Sequence, residues 1–412
     1  MKTHPIELTN TQARRFLLAH QGLWPPKKLV GKKGILEYIH HVGSIQFDPL
    51  NVIGRNPDLV LQARIKNYRE KDLQELLYKD RKLLDGWDKN MCIYAVEDWP
   101  YFSRRRERAY KYFGDPSRPE NKIVPHIRKI IKEKGPISSG DLKYDDVVDW
   151  AWAPTKIGRA ALESMYFWGE LIIYNRNGVR KYYDFAENHI PPSILARTDP
   201  NITKEQYLDW HVKRRVGAIG LLWDRSGDSW LGIHGLKSNE RAETISRLLK
   251  KEEILPVKIE NINFQFYIRK EEEELLKSIQ NGNNPKSKAS IIAPLDNLIW
   301  DRKLIKKIFS FDYTWEVYKI PSERKYGYYV LPILYGDRFI ARFDAGWDKN
   351  ANDLLIKNWW WEQDISSTST MQKALAECFS QFLKSTSANS MKICKEKVIE
   401  PKLKWLEESA NC

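Results

Sequence analysis

The chain has 412 residues and a formal net charge of +14, with 68 Lys plus Arg against 54 Asp plus Glu. That length suits about two to four domains, and a hydrophobic fraction of 42% excludes a largely disordered chain. No run approaches the ~18 apolar residues of a membrane-spanning helix, and the opening MKTHPIELTNTQARRFLLAH lacks the apolar core and cleavage site of a secretory leader.

In chain order, LTNTQARRFLLAHQG reads as a helix started by Thr9 or Thr11, and KKGILEYIHHVG as a second with Ile35, Ile39 and Val42 inward. SIQFDPLNVI reads as extended chain and YREKDLQELLYK as a further helix. The clearest unit follows. KIVPHIRKIIKEKG has helical spacing at Ile123, Ile127, Ile130 and Ile131, Gly135-Pro136 stops it, and Ser138 or Ser139 caps a short second helix. PTKIGRAALESMYFWGE is a third, with Ile157, Ala161, Leu162, Met165 and Tyr166 on one side, and LIIYNRNGVRKYYDF is a hairpin about Asn177-Gly178. Helix, helix, helix, hairpin is the winged-helix order. It recurs after Thr203, in TKEQYLDWHVKRRVGAIG, ERAETISRLLKKEE and then ILPVKIENINFQFYI, which turns at Glu260-Asn261.

SIQNGNNPKSK is a polar linker. Beyond it TWEVYKI, GYYVLPILYG and RFIARFDAG read as strands of a small antiparallel sheet, with Pro332 marking an edge or a bulge. Trp359-Trp360-Trp361 alternate faces and are expected to bury one of them. The tail after Ser367 reads as helical, with a Ser/Thr-rich hinge at residues 384–390. The expected fold class is therefore α+β. Three tandem winged-helix domains are expected at residues 1–118, 119–195 and 196–276, and a C-terminal antiparallel β-sheet and hairpin region with a terminal helix at residues 277–412.

The four cysteines, Cys92, Cys378, Cys394 and Cys412, are scattered and show no metal-ligand spacing. Free thiols in a reducing cytosol are expected, without disulfides or structural zinc. No phosphate-binding glycine loop is present, so no nucleotide chemistry is indicated and no cofactor is expected. The positive balance points to a polyanionic partner, with nucleic acid ahead of a membrane surface.

Winged helices usually place the third helix in the DNA major groove and the wing over the backbone. In the middle domain this names Lys156 and Arg159 on the helix, and Arg176, Arg180 and Lys181 on the wing, as DNA contacts. Further basic clusters are Lys27-Lys28 with Lys32-Lys33, Arg104-Arg105-Arg106 with Arg108, and Lys213-Arg214-Arg215, of which Arg214 and Arg215 are taken as contacts. One such cluster alone is more often a solvated face; several around tandem units make a long basic surface. Tyr326 and Tyr328, two apart in a strand-like run, would share a face and could reach the nucleic acid, with packing inside the sheet as the competing reading.

Residues 43–50, GSIQFDPL, carry the chemistry. If extended, Gln46 and Asp48 point to one face, and Ile45 and Phe47 to the other. A carboxylate beside a primary amide can hold one water: Asp48 can accept its proton and Gln46 can orient it. From pattern alone, Asp48 as a turn residue before Pro49 is the more frequent outcome. A structural Asp48 among three winged helices would make a non-catalytic DNA-binding transcriptional regulator.

GSIQFDPLNVIGR, with its Q-Φ-D triplet (Φ an apolar residue), resembles the signature of the AlkZ/YcaQ-type DNA glycosylases. APLDNLIWDR at residues 293–302, FDYTWEVY at 311–318, RKYGYYVLP at 324–332 and GDRFIARFDA at 336–345 resemble the same family. The resemblance implies three winged-helix domains arranged in a C shape around a DNA-binding cleft. It implies monofunctional hydrolysis of the N-glycosidic bond of N7-alkylated purines, including unhooking of interstrand crosslinks, in base excision repair and without lyase activity. Asp48 and Gln46 are the implied catalytic residues, and the triplet is that of the YcaQ-like branch with its broader substrate tolerance. Where the family carries a histidine-rich stretch, this chain has GRNPDL at residues 54–59, so no histidine is given a catalytic role. The implied partner is double-stranded DNA with alkylated bases or crosslinks, met by a monomer in the cytoplasm at the bacterial nucleoid, with no membrane involved.

Overall fold

The computed structural model describes residues 4–26, 28–151, 153–282, 285–394 and 403–411, so Lys27 and Cys412 lie outside the described residues. The architecture is mixed α/β, helices alternating with several small sheets. The chain packs as two compact units: Met1–Leu73 with Trp87–Ile93 and Glu205–Cys412, and Gln74–Gly86 with Tyr94–Lys204.

The second unit is built around the middle segment. The helix Val124–Lys134 turns Ile127 and Ile131 inward. Ser138 and Asp141 then form a reciprocal capping box over a single 3-10 turn, Ser139–Asp141, where a short helix was expected. The helix Ile157–Phe167 buries Ile157, Ala161, Leu162, Met165 and Tyr166. The strands Leu171–Asn177 and Arg180–Phe185 pair antiparallel with Asn177 opposite Arg180. Gly178, at φ 59°, supplies the left-handed residue their two-residue turn requires. Ile137–Ser138 adds a third strand to this hairpin.

In the first unit Thr9 closes a capping box with Gln12 at the start of the helix Asn10–His20. The helix Gly31–Val42 follows, with Ile35, Ile39 and Val42 buried. The strand Ile6–Leu8 runs parallel to Ile254–Ile259, which pairs antiparallel with Ile262–Arg269 about the expected turn. One interior joins these elements: Phe16 and Leu17 belong to the same apolar core as Val212, Val216, Phe266 and Leu304.

The C-terminal sheet has the strand order Ala289–Ile291, Val330–Tyr335, Arg338–Asp348, Asp353–Trp361, Met391–Ile393. Three expectations change here. The polar linker begins as helix, because Glu273–Gln280 extends into it to bury Leu276 and Ile279. TWEVYKI is not a strand: Glu316 turns its carboxylate inward onto the main-chain N–H groups of Lys325 and Tyr326, and residues 311–320 form only a turn. The tail supplies a strand, Met391–Ile393, parallel to Asp353–Trp361, so the sheet is not purely antiparallel. Pro332 lies in an inner strand whose register shifts beside it, between Ile333 and Leu334, as a bulge accommodating a missing donor. Of the three adjacent tryptophans, Trp359 is buried and the other two half-buried.

A buried ion pair holds the first unit at its centre. Arg64 donates Nη2 to Asp296 Oδ1 at 2.7 Å and Nη1 to Oδ2 at 2.8 Å, and neither side chain is exposed at all. The same guanidinium donates Nε to the Gln21 carbonyl at 2.7 Å and lies over the Tyr38 ring. Replacing Asp296 by Ala strands this charge in the interior, an error that costs about 3–5 kcal/mol. Urea unfolding of Asp296→Ala should show a loss of that order; a loss below about 1 kcal/mol would mean that carbonyl contacts suffice for Arg64.

Candidate active site

The strand Ser44–Gln46 is buried along its whole length, and Phe47 N donates to the Met91 carbonyl at 2.9 Å. Pro49 has no N–H to continue the ladder. Asp48 therefore folds back, and its Oδ1 accepts the Leu50 N–H at 2.8 Å, an Asx turn. Asp48 thus has the turn role that pattern alone favours, but only one of its oxygens serves it. Among the described residues the other oxygen accepts no hydrogen bond, and the carboxylate makes no salt bridge. Burial raises its pKa above the ordinary carboxylate value, and the Leu50 N–H opposes this only in part.

Gln46 is buried. Its main-chain oxygen accepts Asn56 Nδ2 at 2.7 Å, while its side-chain Oε1 is enclosed without a donor among the described residues. The 293–302 segment fixes this strand from the other side. Asn297 Nδ2 donates to the Ser44 carbonyl at 2.9 Å, and Leu295 N donates to Asn56 Oδ1 at 3.0 Å. The strand therefore delivers a desolvated carboxylate and, two residues before it, a buried amide acceptor.

Tyr318 and Tyr329 lie within electrostatic range of the Asp48 carboxylate, whose charge adds to the burial that raises both phenols. Glu316 organises the 311–329 segment. It accepts N–H groups from Lys325 at 3.1 Å and Tyr326 at 2.8 Å, and the Lys319 ammonium at 2.8 Å. Burial alone would raise its pKa, but these donors bring it down to about 2. Gly327, at φ 147°, is required, because a Cβ there would collide with the Asp344 carboxylate.

Tyr326 and Tyr328 sit in this loop and not on a strand, so the expected shared face does not exist. Each ring is covered by a cation: Arg342 lies 4.3 Å and Lys325 4.9 Å from Tyr326, and Arg324 lies 4.9 Å from Tyr328. Tyr318, which sequence reading passed over, is 84% exposed. Only its place inside FDYTWEVY could have pointed to it.

The cations divide sharply. Arg215 is buried and donates Nη2 to Asp88 Oδ1 at 2.9 Å and Nη1 to the Leu231 carbonyl at 2.9 Å. Arg214 donates Nε to the same carboxylate at 2.9 Å and Nη2 to the Gly43 carbonyl at 2.8 Å. Burial would raise the Asp88 carboxyl, but these two guanidiniums hold it well below the usual range. Arg215 is thus a core ion pair, which corrects its assignment as a DNA contact, and Arg214 is largely committed to the same carboxylate. In the second unit Arg176 pairs with Asp85 at 3.0 Å, with both side chains sealed from solvent, and is corrected in the same way. Glu163 binds Arg159 at 3.2 Å and Lys181 at 3.4 Å, and Lys156 reaches Asp145 at 2.9 Å. Arg159 and Lys156 keep most of their side chains in solvent. Arg180 is exposed and has no salt bridge among the described residues.

In the 54–59 stretch, Asp58 accepts Arg55 Nε at 2.8 Å and the Tyr68 hydroxyl at 2.5 Å. Residues 51–55 wall a cavity of about 430 Å³ together with Trp347 and Lys349. One group of described residues, His20, His41 and Glu272, has the geometry to hold a metal ion. His20 Nε2 already lies 2.7 Å from the Gly217 carbonyl, and Nδ1 lies 3.2 Å from a Glu272 carboxylate oxygen, so the group reads as an interior tie. Burial and the neighbouring His20 bring His41 down to about 4.

The family described as DNA glycosylase AlkZ-like matches residues 39–384. The chain belongs to this family. The match takes in the Q-Φ-D triplet, the 293–302 clamp and the 311–329 segment. Among solved structures, Streptomyces sahachiroi DNA glycosylase AlkZ is similar with a TM-score of 0.62, covering 96% of this chain and 100% of that one at 11% identity, a likeness of fold. Family membership makes the chain a DNA glycosylase with DNA as its substrate. Among the described residues no helix is long and apolar enough to cross a membrane.

The two wing arginines should separate cleanly. Arg176→Ala leaves Asp85 charged and buried, and should cost about 3–5 kcal/mol in chemical denaturation. Arg180→Ala should change stability by less than about 0.5 kcal/mol. Equal effects would contradict the different burial of the two side chains.

Proposed function

We propose that this glycosylase is monofunctional and hydrolyses the N-glycosidic bond of N7-alkylated purines in duplex DNA, interstrand crosslinks included, as a step of base excision repair. The observation that carries this reading is the pair at the end of Ser44–Gln46: a half-buried Asp48 carboxylate with one uncommitted oxygen, preceded by the enclosed Gln46 Oε1. N7 alkylation makes the base cationic and a better leaving group. The bond then breaks through a sugar cation with oxocarbenium character. The Asp48 carboxylate stabilises that cation, and its uncommitted oxygen takes the proton of the attacking water. The Gln46 carboxamide positions that water. A leaving group that already carries charge needs no strong general acid, so one carboxylate suffices.

On this reading the winged-helix segments 1–118, 119–195 and 196–276 and the C-terminal segment 277–412 act as a monomer on duplex DNA at the nucleoid. Lys156, Arg159, Arg180 and Lys181 are the proposed phosphate contacts. Borohydride trapping of a covalent adduct would overturn the monofunctional reading.

Single-turnover excision of N7-methylguanine tests the chemistry. Asp48→Asn should lower the rate about 10²–10⁴-fold and Gln46→Ala less, both with duplex affinity intact. The wild-type rate should fall as pH drops through the raised Asp48 pKa, because the working form is the carboxylate. A pKa raised in the folded state means that the native protein binds the extra proton, so stability declines as pH rises through that window. Asp48→Asn keeps an acceptor for the Leu50 N–H and removes the buried charge, so its melting temperature at neutral pH should equal or exceed that of the wild type. Excision by Asp48→Asn at the wild-type rate would end this mechanism.

Binding to undamaged duplex should weaken with salt, with a log–log slope near −0.9 per phosphate contacted, and Arg180→Ala should reduce the slope by about one contact. Affinity indifferent to salt, or tied to one unmodified sequence, would favour a transcriptional regulator.

A further inference from the structure

The tyrosines of the 311–329 segment differ in what their faces can do. Tyr329 is 1% exposed, and Tyr328 carries the Arg324 guanidinium over its ring. Tyr318 is 84% exposed, and its contact among the described aromatic rings is the edge of Trp315, 5.8 Å between centroids. Ile320, two residues on, is 59% exposed. The backbone beneath this ring is nevertheless held on both sides. Glu316 accepts the Tyr326 N–H at 2.8 Å and the Lys319 ammonium at 2.8 Å, and Arg324 Nε donates to the Lys319 carbonyl at 2.9 Å. The ring is thus offered to solvent from an anchored turn, within reach of the Asp48 charge.

We propose that Tyr318 is a specificity-determining residue that stacks on the damaged base and selects it for its positive charge. The inference rests on the reading of Asp48 as the carboxylate of the glycosylase site. An N7-alkylated purine is a flat, delocalised cation. An electron-rich ring face attracts such a cation beyond ordinary stacking, whereas a neutral base gains the stacking alone. A tyrosine already capped by a guanidinium would repel a cationic base, so the ring without a cation is the one suited to receive it. The negative Asp48 nearby adds to the same preference. The Tyr318 hydroxyl makes no hydrogen bond among the described residues, and the preference for charge is assigned to the ring.

The test uses the full chain and two duplexes that resist cleavage, one with 2′-fluoro-N7-methylguanosine and one with 2′-fluoroguanosine at the same position. The fluorine destabilises the sugar cation and holds the glycosidic bond. The wild type should prefer the cationic duplex. Tyr318→Leu should lose about 5- to 30-fold more affinity for that duplex than for the guanine duplex, which forfeits ordinary stacking alone. Tyr318→Phe should behave as the wild type. Full preference retained in Tyr318→Leu overturns the proposal. So does equal loss on both duplexes, which would mean that the ring props open the base stack without reading charge. Thermal melts of both variants should match the wild type, as expected of an exposed ring. Excision of N7-methylguanine from the unfluorinated duplex by the wild type is run in parallel. Its absence would sink the specificity reading on which the proposal stands, separately from the role of Tyr318.

Discussion

The site depends on one buried ion pair. Arg64 and Asp296 face each other with no exposure to water, and such a pair is costly to desolvate unless every remaining donor finds a partner. Here they do: the guanidinium also reaches the Gln21 and Val60 carbonyls, and Asp296 Oδ1 accepts the Leu298 N–H as well. Net stabilisation is not the main consequence. Because the charges tolerate only one mutual placement, the chain around Asp296 is fixed in register against the chain around Arg64. Leu295 and Asn297, on either side of Asp296, then hold Asn56 and Ser44, and through them the strand that ends in Gln46 and Asp48. Asp301 extends the same logic. It caps the helix Arg302–Phe309 through the Leu304 N–H and accepts Trp223 Nε1 at 2.8 Å.

Asp48 itself is treated in the opposite way. Three buried carboxylates of the same unit are neutralised: Asp88 by two arginines, Asp296 by one, Glu316 by a lysine and main-chain donors. Asp48 is partly desolvated and receives one N–H, so its charge is under-compensated. A stabilising design would pair it with a cation. A cation there would lower its basicity and offset the attraction to a positive sugar or base. The proposed chemistry requires the deficit that stability disfavours, and the surrounding paired network is what lets the fold tolerate it.

Local signals in the sequence were reliable where the physics is local. Thr9 with Gln12, the Gly178 turn and the spacing of Ile157, Ala161 and Met165 each depend on residues within about one helical turn or hairpin. Alternation along a short extended run puts Gln46 and Asp48 on one face but leaves a turn role for Asp48 the more frequent outcome; the resemblance to the AlkZ/YcaQ-type glycosylases is what singles the triplet out. Long-range neutralisation was not visible. Nothing in the neighbourhood of Arg176 or Arg215 tells that Asp85 and Asp88 will bury them, so both look like surface cations. TWEVYKI has a strand's composition, but Glu316 finds better donors across the loop than a ladder would offer. The parallel strand Met391–Ile393 depends on Asp353–Trp361 and could not be read from a polar tail. Tyr318 was missed because exposure is a property of what fails to pack against a residue.

This division also explains why family resemblance is so recognisable in segments that do no chemistry. Of the motif residues, Asp296, Asn297 and Asp301 clamp the site strand and the following helix, and Glu316 clamps the aromatic loop. Each is a buried polar group whose replacement leaves a partner unsatisfied. The two residues proposed to act on substrate, Gln46 and Asp48, lie within a span of three positions and leave a faint signature by comparison. The likeness of fold holds at 11% identity, as an apolar core interchangeable in detail allows. Recognition by clamp residues identifies the scaffold. The lesion it prefers is decided elsewhere, by which ring faces and which carboxylate oxygen the clamps leave uncovered.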